Sequence, residues 1–169
     1  MAVKMTHLAQ HDALTHLPNR LLLKDRVVQA IGRAARHHTR VALIFLDLDR
    51  FKHVNDSLGH AIGDKLLQSV AGRLLGCVRA TDTVCRQGGD EFVVLLPEID
   101  DGHQAARVAE KILVAVAQPY LIDAHELHIS MSAGISVYPD DAKDGEAMGK
   151  NADSAMYHAK EQGRNNFQF

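Results

Sequence analysis

The chain has 169 residues and 46% hydrophobic content, the size and composition of one compact domain that can bury its own core. Its formal net charge is −2 with histidines neutral, which weighs against a broad basic surface for a nucleic acid polymer but leaves room for local phosphate sites. No apolar run of about 18 residues is present, and MAVKMTHLAQ lacks the charged head and apolar stretch of a secretion signal. A soluble, cytoplasmic domain without membrane contact of its own is therefore expected, whether or not the parent protein is membrane-anchored.

The first residues, 1–12, read as a short helical lead-in from an upstream region, with the globular domain over 13–169. LLLKDRVVQAIGRAAR (21–36) repeats apolar residues at helical spacing, and Pro18 with Asn19 suits a helix start. VALIFLDLD (41–49) is too short for a buried helix and reads as a strand covered on both faces that ends in Asp47 and Asp49. The next stretch, 51–79, has helical periodicity broken near Gly59 and Gly63, which predicts a short helix, a turn and a long helix from about Ile62. TDTVCRQ and DEFVVLLP flank Gly88-Gly89 as the arms of a hairpin, with both glycines suited to the positive φ of a type I′ turn. Residues 102–118 form another amphipathic helix that Pro119 ends, and a short ribbon and a strand over 129–138 follow. A last helix (146–164) is capped by Gly163, and NNFQF closes as an edge strand.

Strands separated by helices, with one hairpin in the middle, predict an α+β fold: a mixed βαββαβ sheet flanked by helices, with an extra β-ribbon. Cys77 and Cys85 have no metal spacing and read as small core residues. The eleven histidines contain no HExxH pattern and read mostly as surface or structural groups.

In such a sheet the end of the strand at Asp47 and the hairpin at Asp90 can lie on neighbouring central strands, so that Asp47, Asp90 and Glu91 converge at one rim. Hard oxygens there suit Mg²⁺, which is held by one or two carboxylates together with substrate phosphates. The plain alternative is that Asp47 and Asp49 merely end a strand and the hairpin acids are solvated. Downstream, Lys52, Asn55, Asp56, His60 and Asp64 recur at helical and turn spacings around Gly59 and Gly63. An Asn amide and a nearby carboxylate can read a guanine edge, and Lys52, Lys160 and Arg164 can neutralise phosphates.

These residues coincide with a known set. The chain resembles the GGDEF domain of diguanylate cyclases over nearly its full length, through HDALTHLPNR, FLDLDRFKHVNDSLGHAIGD, RQGGDEF, SAGISVYP and ADSAMYHAKEQGRNNFQF. The resemblance implies condensation of two GTP molecules into cyclic di-GMP with release of two pyrophosphates by a homodimer. It implies Mg²⁺ (or Mn²⁺) on Asp47 and Asp90 with the Leu48 carbonyl assisting, and Glu91 as base or further metal ligand. Asn55 and Asp64 are then guanine ligands and Lys52, Lys160 and Arg164 phosphate ligands, while Gly88 and Gly89 let the backbone approach the nucleotide. Arg79-Ala80-Thr81-Asp82 resembles the family's RxxD inhibitory site for product, with Arg107 or Lys111 as an added basic residue. AKEQGRNNFQF resembles GGDEF domains that an EAL phosphodiesterase domain follows, so a GTP- or cyclic-di-GMP-binding regulatory module stands as the second reading.

Overall fold

The computed structural model describes residues 9–169; the expected helical lead-in falls mainly on residues 1–8, outside the described residues. In chain order the elements are α1 (Arg20–His37), β1 (Arg40–Leu48), α2 (Phe51–Leu58), α3 (His60–Leu75), β2 (Thr83–Gly88), β3 (Glu91–Ile99), α4 (Gly102–Ala117), β4 (Tyr120–Ile122), β5 (His125–Leu127), β6 (Met131–Tyr138), α5 (Gly145–Glu161) and β7 (Phe167–Gln168). Five strands form one sheet in the order β2-β3-β1-β6-β7, and β4-β5 form the separate ribbon. β1 sits at the centre, antiparallel to both β3 and β6, and β7 joins parallel to β6. This is the mixed α+β architecture that the order of elements predicts.

β1 is almost wholly apolar because both of its faces are covered. Ala42, Ile44, Leu46 and Leu48 enter the larger core with residues of α3 and α4, whereas Val41 and Leu43 pack in a second core with residues of α1 and α5. The alternation carries Asp47 to the α5 side. Local signals fix the ends of the elements. The Asn19 side chain accepts hydrogen bonds from the Leu21 and Leu22 amides and so caps α1, while Asp101 and Asp144 cap α4 and α5 in the same way. Arg73 of α3 donates to the carbonyls of Ala115, Gln118 and Pro119 and stacks 3.5 Å from the Tyr120 ring centroid, binding the end of α4 to α3.

Three boundaries differ from the sequence expectation. The long helix starts at His60, directly after Gly59 at φ 91°, so Gly63 lies inside it. The last helix stops at Glu161, because Gly163, Arg164 and Asn165 all take positive φ and turn the chain back toward the sheet. In the hairpin, β2 runs through Gly88 with an irregularity between Arg86 and Gly88, and Gly88 pairs with Glu91. The two linking residues are thus Gly89 and Asp90. Gly88 (φ 143°) and Gly89 (φ 52°) both use positive φ, but Asp90 does not, so the link is not the expected Gly88-Gly89 type I′ turn.

Gly134 of β6 lies opposite Phe45 of β1, on the face where α5 packs. A Cβ there would overlap the Ala152 carbonyl oxygen and the Met156 nitrogen, both backbone atoms that cannot swing aside. Gly134→Ala is expected to cost at least about 3 kcal/mol, a fall in melting temperature of roughly 6–12 °C; a thermal melt of the purified variant checks this.

Candidate active site

The site is built where β1 runs out beside the hairpin. Asp47 pairs in register with Glu91, and the Leu48 amide donates to the Asp90 carbonyl at 3.2 Å, so the three acids expected at one rim come from two adjacent strand ends. Asp47 is only 6% exposed. Lys160 reaches across from α5 to donate to Asp47 Oδ2, while Asp47 Oδ1 is buried without a partner. Burial pushes the Asp47 carboxyl up to about 6; the nearby Asp90 carboxylate pushes the same way and Lys160 opposes both. Glu91, more open to solvent, is also pushed up, first by partial desolvation and then by Asp47 and Asp153, against Lys160 and Arg20.

Two residues outside the expected site set hold this rim in shape. Arg86 donates from Nε and Nη2 to the Gly89 carbonyl at 3.1 and 2.8 Å, and from Nη1 to both oxygens of Asp12 at 2.9 and 3.1 Å. Burial works against ionisation of Asp12, but bonds from Thr15 and Arg86 outweigh it and hold the carboxyl below its ordinary range. Asp12 and Arg86 lie 74 positions apart, so no local pattern exposes the pair. Asp49 is buried and fully occupied. Its oxygens accept from Ser130 Oγ and Ser132 Oγ, each at 2.6 Å, and from the Asn165 amide at 3.1 Å. It ties the end of β1 to β6 and to the turn that carries Arg164, a structural duty distinct from that of Asp47.

The nucleotide candidates lie on α2, on α3 and in the turn after α5. Asn55 on α2 has its Oδ1 buried without a hydrogen-bond partner, and a Cβ at Gly63 of α3 would fall on that same oxygen. Gly63 therefore lets the two helices close around Asn55, with Asp64 exposed on the next residue. Lys52 is exposed in the first turn of α2. Arg164 sits at φ 65° in the turn after α5.

The RATD segment is a separate structure. The Arg79 amide donates to Asp82 Oδ2 at 2.8 Å, and the Arg79 guanidinium donates to the Glu98 carbonyl at 3.2 Å. The Asp82 side chain is only 2% exposed, and its Oδ1 has no partner. A cavity on one side of the segment is lined by Arg26 and Arg33 of α1. Arg107 and Lys111 both line another cleft, beside Cys77 and Arg73.

Asp47 and Asp90 fit a Mg²⁺ ion by one specific observation: Asp47 Oδ1 is a buried, unpartnered acceptor next to a second carboxylate that repels it. Among the described residues no three acid, histidine or cysteine side chains are gathered as a ready-made metal cluster. Two carboxylates completed by phosphate oxygens and water suit magnesium and not an all-protein cage. The sign of the Asp47 shift gives a test in metal-free buffer. A carboxyl raised from 3.8 to about 6 weakens the folded state fully above pH 6, and the cost fades as pH falls from 6 toward 3.8. Asp47→Asn is expected to raise metal-free stability at pH 7.5 by about 1–3 kcal/mol, with the difference from wild type vanishing by about pH 4; paired denaturant titrations across pH measure it.

Comparison with known proteins adds the family. The model described as "Diguanylate cyclase, GGDEF domain" matches residues 9–166. The bifunctional diguanylate cyclase/cyclic di-GMP phosphodiesterase MucR of Pseudomonas aeruginosa is 52% identical over 98% of this chain and 24% of its own length. The chain thus spans only about a quarter of that relative. The GGDEF domain of TpbB from Pseudomonas aeruginosa superposes with a TM-score of 0.91 at 42% identity, covering 94% of this chain and 92% of that one. The coiled coil and GGDEF domain of DgcB from Caulobacter crescentus, solved with c-di-GMP, gives 0.90 at 27% identity over 99% of this chain and 88% of that one. With the family match spanning nearly all of the described fold and its rim of paired acids, the chain belongs to the GGDEF domain family of diguanylate cyclases.

Proposed function

We propose that the chain is a diguanylate cyclase that condenses two GTP molecules into cyclic di-GMP and two pyrophosphates as a two-fold dimer. The observation that carries this reading is the buried Asp47 beside Asp90, an acid pair that Lys160 approaches from α5 and that leaves Asp47 Oδ1 without a partner. Asp47 and Asp90, with the Leu48 carbonyl, would hold Mg²⁺ or Mn²⁺, which when bound neutralises triphosphate charge and polarises the reacting phosphate. Asn55 and Asp64 take the guanine edge. Lys52, Lys160 and Arg164 take the phosphates, with Lys160 shared between Asp47 and a phosphate oxygen. Gly88 and Gly89 let the hairpin backbone come close to the nucleotide.

Glu91 accepts the proton of a GTP 3′-hydroxyl; its upward shift makes the carboxylate a stronger proton acceptor than an exposed one. The 3′-oxygen forms a bond to the α-phosphorus of the second GTP as the bond to pyrophosphate breaks, and the same step in the opposite sense closes the ring. Each domain holds one GTP, so two copies must face each other before the reacting atoms meet. Product returning to Arg79 and Asp82, assisted by Arg107 or Lys111, limits synthesis. A second reading, a GTP- or cyclic-di-GMP-binding module that does not turn over within a larger GGDEF-EAL protein, is favoured by relatives named as cyclic di-GMP phosphodiesterases, NbdA of Pseudomonas aeruginosa and PdeR of Escherichia coli, 38% and 40% identical to this chain.

Purified protein given GTP and Mg²⁺ should release cyclic di-GMP and pyrophosphate, with specific activity rising as protein concentration rises. Asp90→Ala should lower the rate by at least about 100-fold. GTP binding without product, even in a forced dimer, would replace the enzyme reading with the regulatory one. Arg79→Ala should leave synthesis in place and raise the product concentration needed for half-inhibition by at least about tenfold; unchanged inhibition removes the feedback site from this segment.

A further inference from the structure

A cavity of about 310 Å³ opens past the end of β1. Its walls come from four places in the chain: Asp49 and Arg50 after β1, His53 in the first turn of α2, His128 and Ser130 before β6, and Arg164 after α5. The one acid among them is not free to repel an anion, because three donors occupy the Asp49 carboxylate. Two guanidinium groups and two imidazoles remain as donors. The first turn of α2 adds to them, since its N-cap, Arg50, sits in the left-handed region and makes no side-chain capping bond. Backbone amides at the start of α2 are thus left without a side-chain cap beside the basic groups.

We infer that His53 and His128 bind the β- and γ-phosphates of the nucleotide and the pyrophosphate it releases, extending the phosphate site of Arg164 across the cavity. The inference rests on the GTP reading of the site above. Arg164 is the shared member: it is a phosphate candidate by resemblance and also a wall of this cavity. Its turn is fixed by the Asn165 amide bond to Asp49, so the distance from Arg164 to the two imidazoles is set by the fold. An imidazole offers an N–H donor to phosphate oxygen in either protonation state. Neither histidine lies on the strand ends that carry Asp47, Asp90 and Glu91. Their contribution therefore falls on the leaving end of the triphosphate and not on the α-phosphate or the base.

The test uses His53→Ala, His128→Ala and the double variant, each checked for an unchanged thermal melt, with Mg²⁺ present and binding measured by calorimetry. The probes are GTP, GMP and inorganic pyrophosphate. Each single change should weaken GTP and pyrophosphate by about tenfold, and GMP, which lacks the β- and γ-phosphates, should bind as to wild type. Equal affinity of variants and wild type for GTP and pyrophosphate overturns the inference while leaving the GTP site intact. Parallel loss of GMP overturns it as well, because the histidines would then be shaping the site as a whole. Wild-type protein that binds neither GTP nor pyrophosphate overturns the function reading and this inference together.

Discussion

A carboxylate buried at the rim of a sheet that is covered on both faces needs positive charge close by, and the rest of the site is arranged around that need. Asp47 stands on the α5 side of the central strand, loses most of its water, and faces Asp90 across the strand pair. Lys160 supplies one cation from α5. Because that partner comes from the far end of the chain, the packing of α5 on β6 is a condition of the charge balance at Asp47 as well as of stability. Gly134 is where the two requirements meet: the absence of a side chain there lets α5 lie close enough for Lys160 to reach the rim.

Around this pair the fold uses buried polar contacts as struts. Asp49, two residues along, carries a similar carboxylate with a different task, since serine hydroxyls and a backbone amide satisfy it in full. The difference between the two aspartates is therefore one of partners: a satisfied acid fixes geometry, and an unsatisfied one is available to a ligand. Arg86 does for the hairpin what Asp49 does for the turn after α5. It holds the Gly89 carbonyl with one edge of its guanidinium and Asp12 with the other, so the conformation of the glycine link is braced by a segment that precedes α1.

The fold was legible because its signals are local or periodic. β1 announces a doubly covered strand by an unbroken apolar run, and the amphipathic spacing of α1, α4 and α5 needs no partner to be read. The order of strands and helices then leaves few ways to build the sheet. Convergence of Asp47 with the hairpin followed from that order. The exact hairpin link did not, because two adjacent glycines permit several registers and the irregularity after Arg86 selects one. Nor could sequence separate Asp49 from Asp47, which share one strand end and differ only in what long-range partners supply. The bracing of the hairpin by Asp12 was hidden for the same reason: its evidence is a contact between residues 74 apart.

Gly63 has a consequence that reaches beyond this chain. The Asn55 amide oxygen rests where a side chain at that position would begin. The size of residue 63 is thus a gauge of whether the α2–α3 wedge can hold an amide at all. In a related chain, anything larger than glycine there would have to turn the asparagine outward or part the helices. A domain could then keep its hairpin acids unaltered and still lose the unpartnered amide oxygen held between its helices.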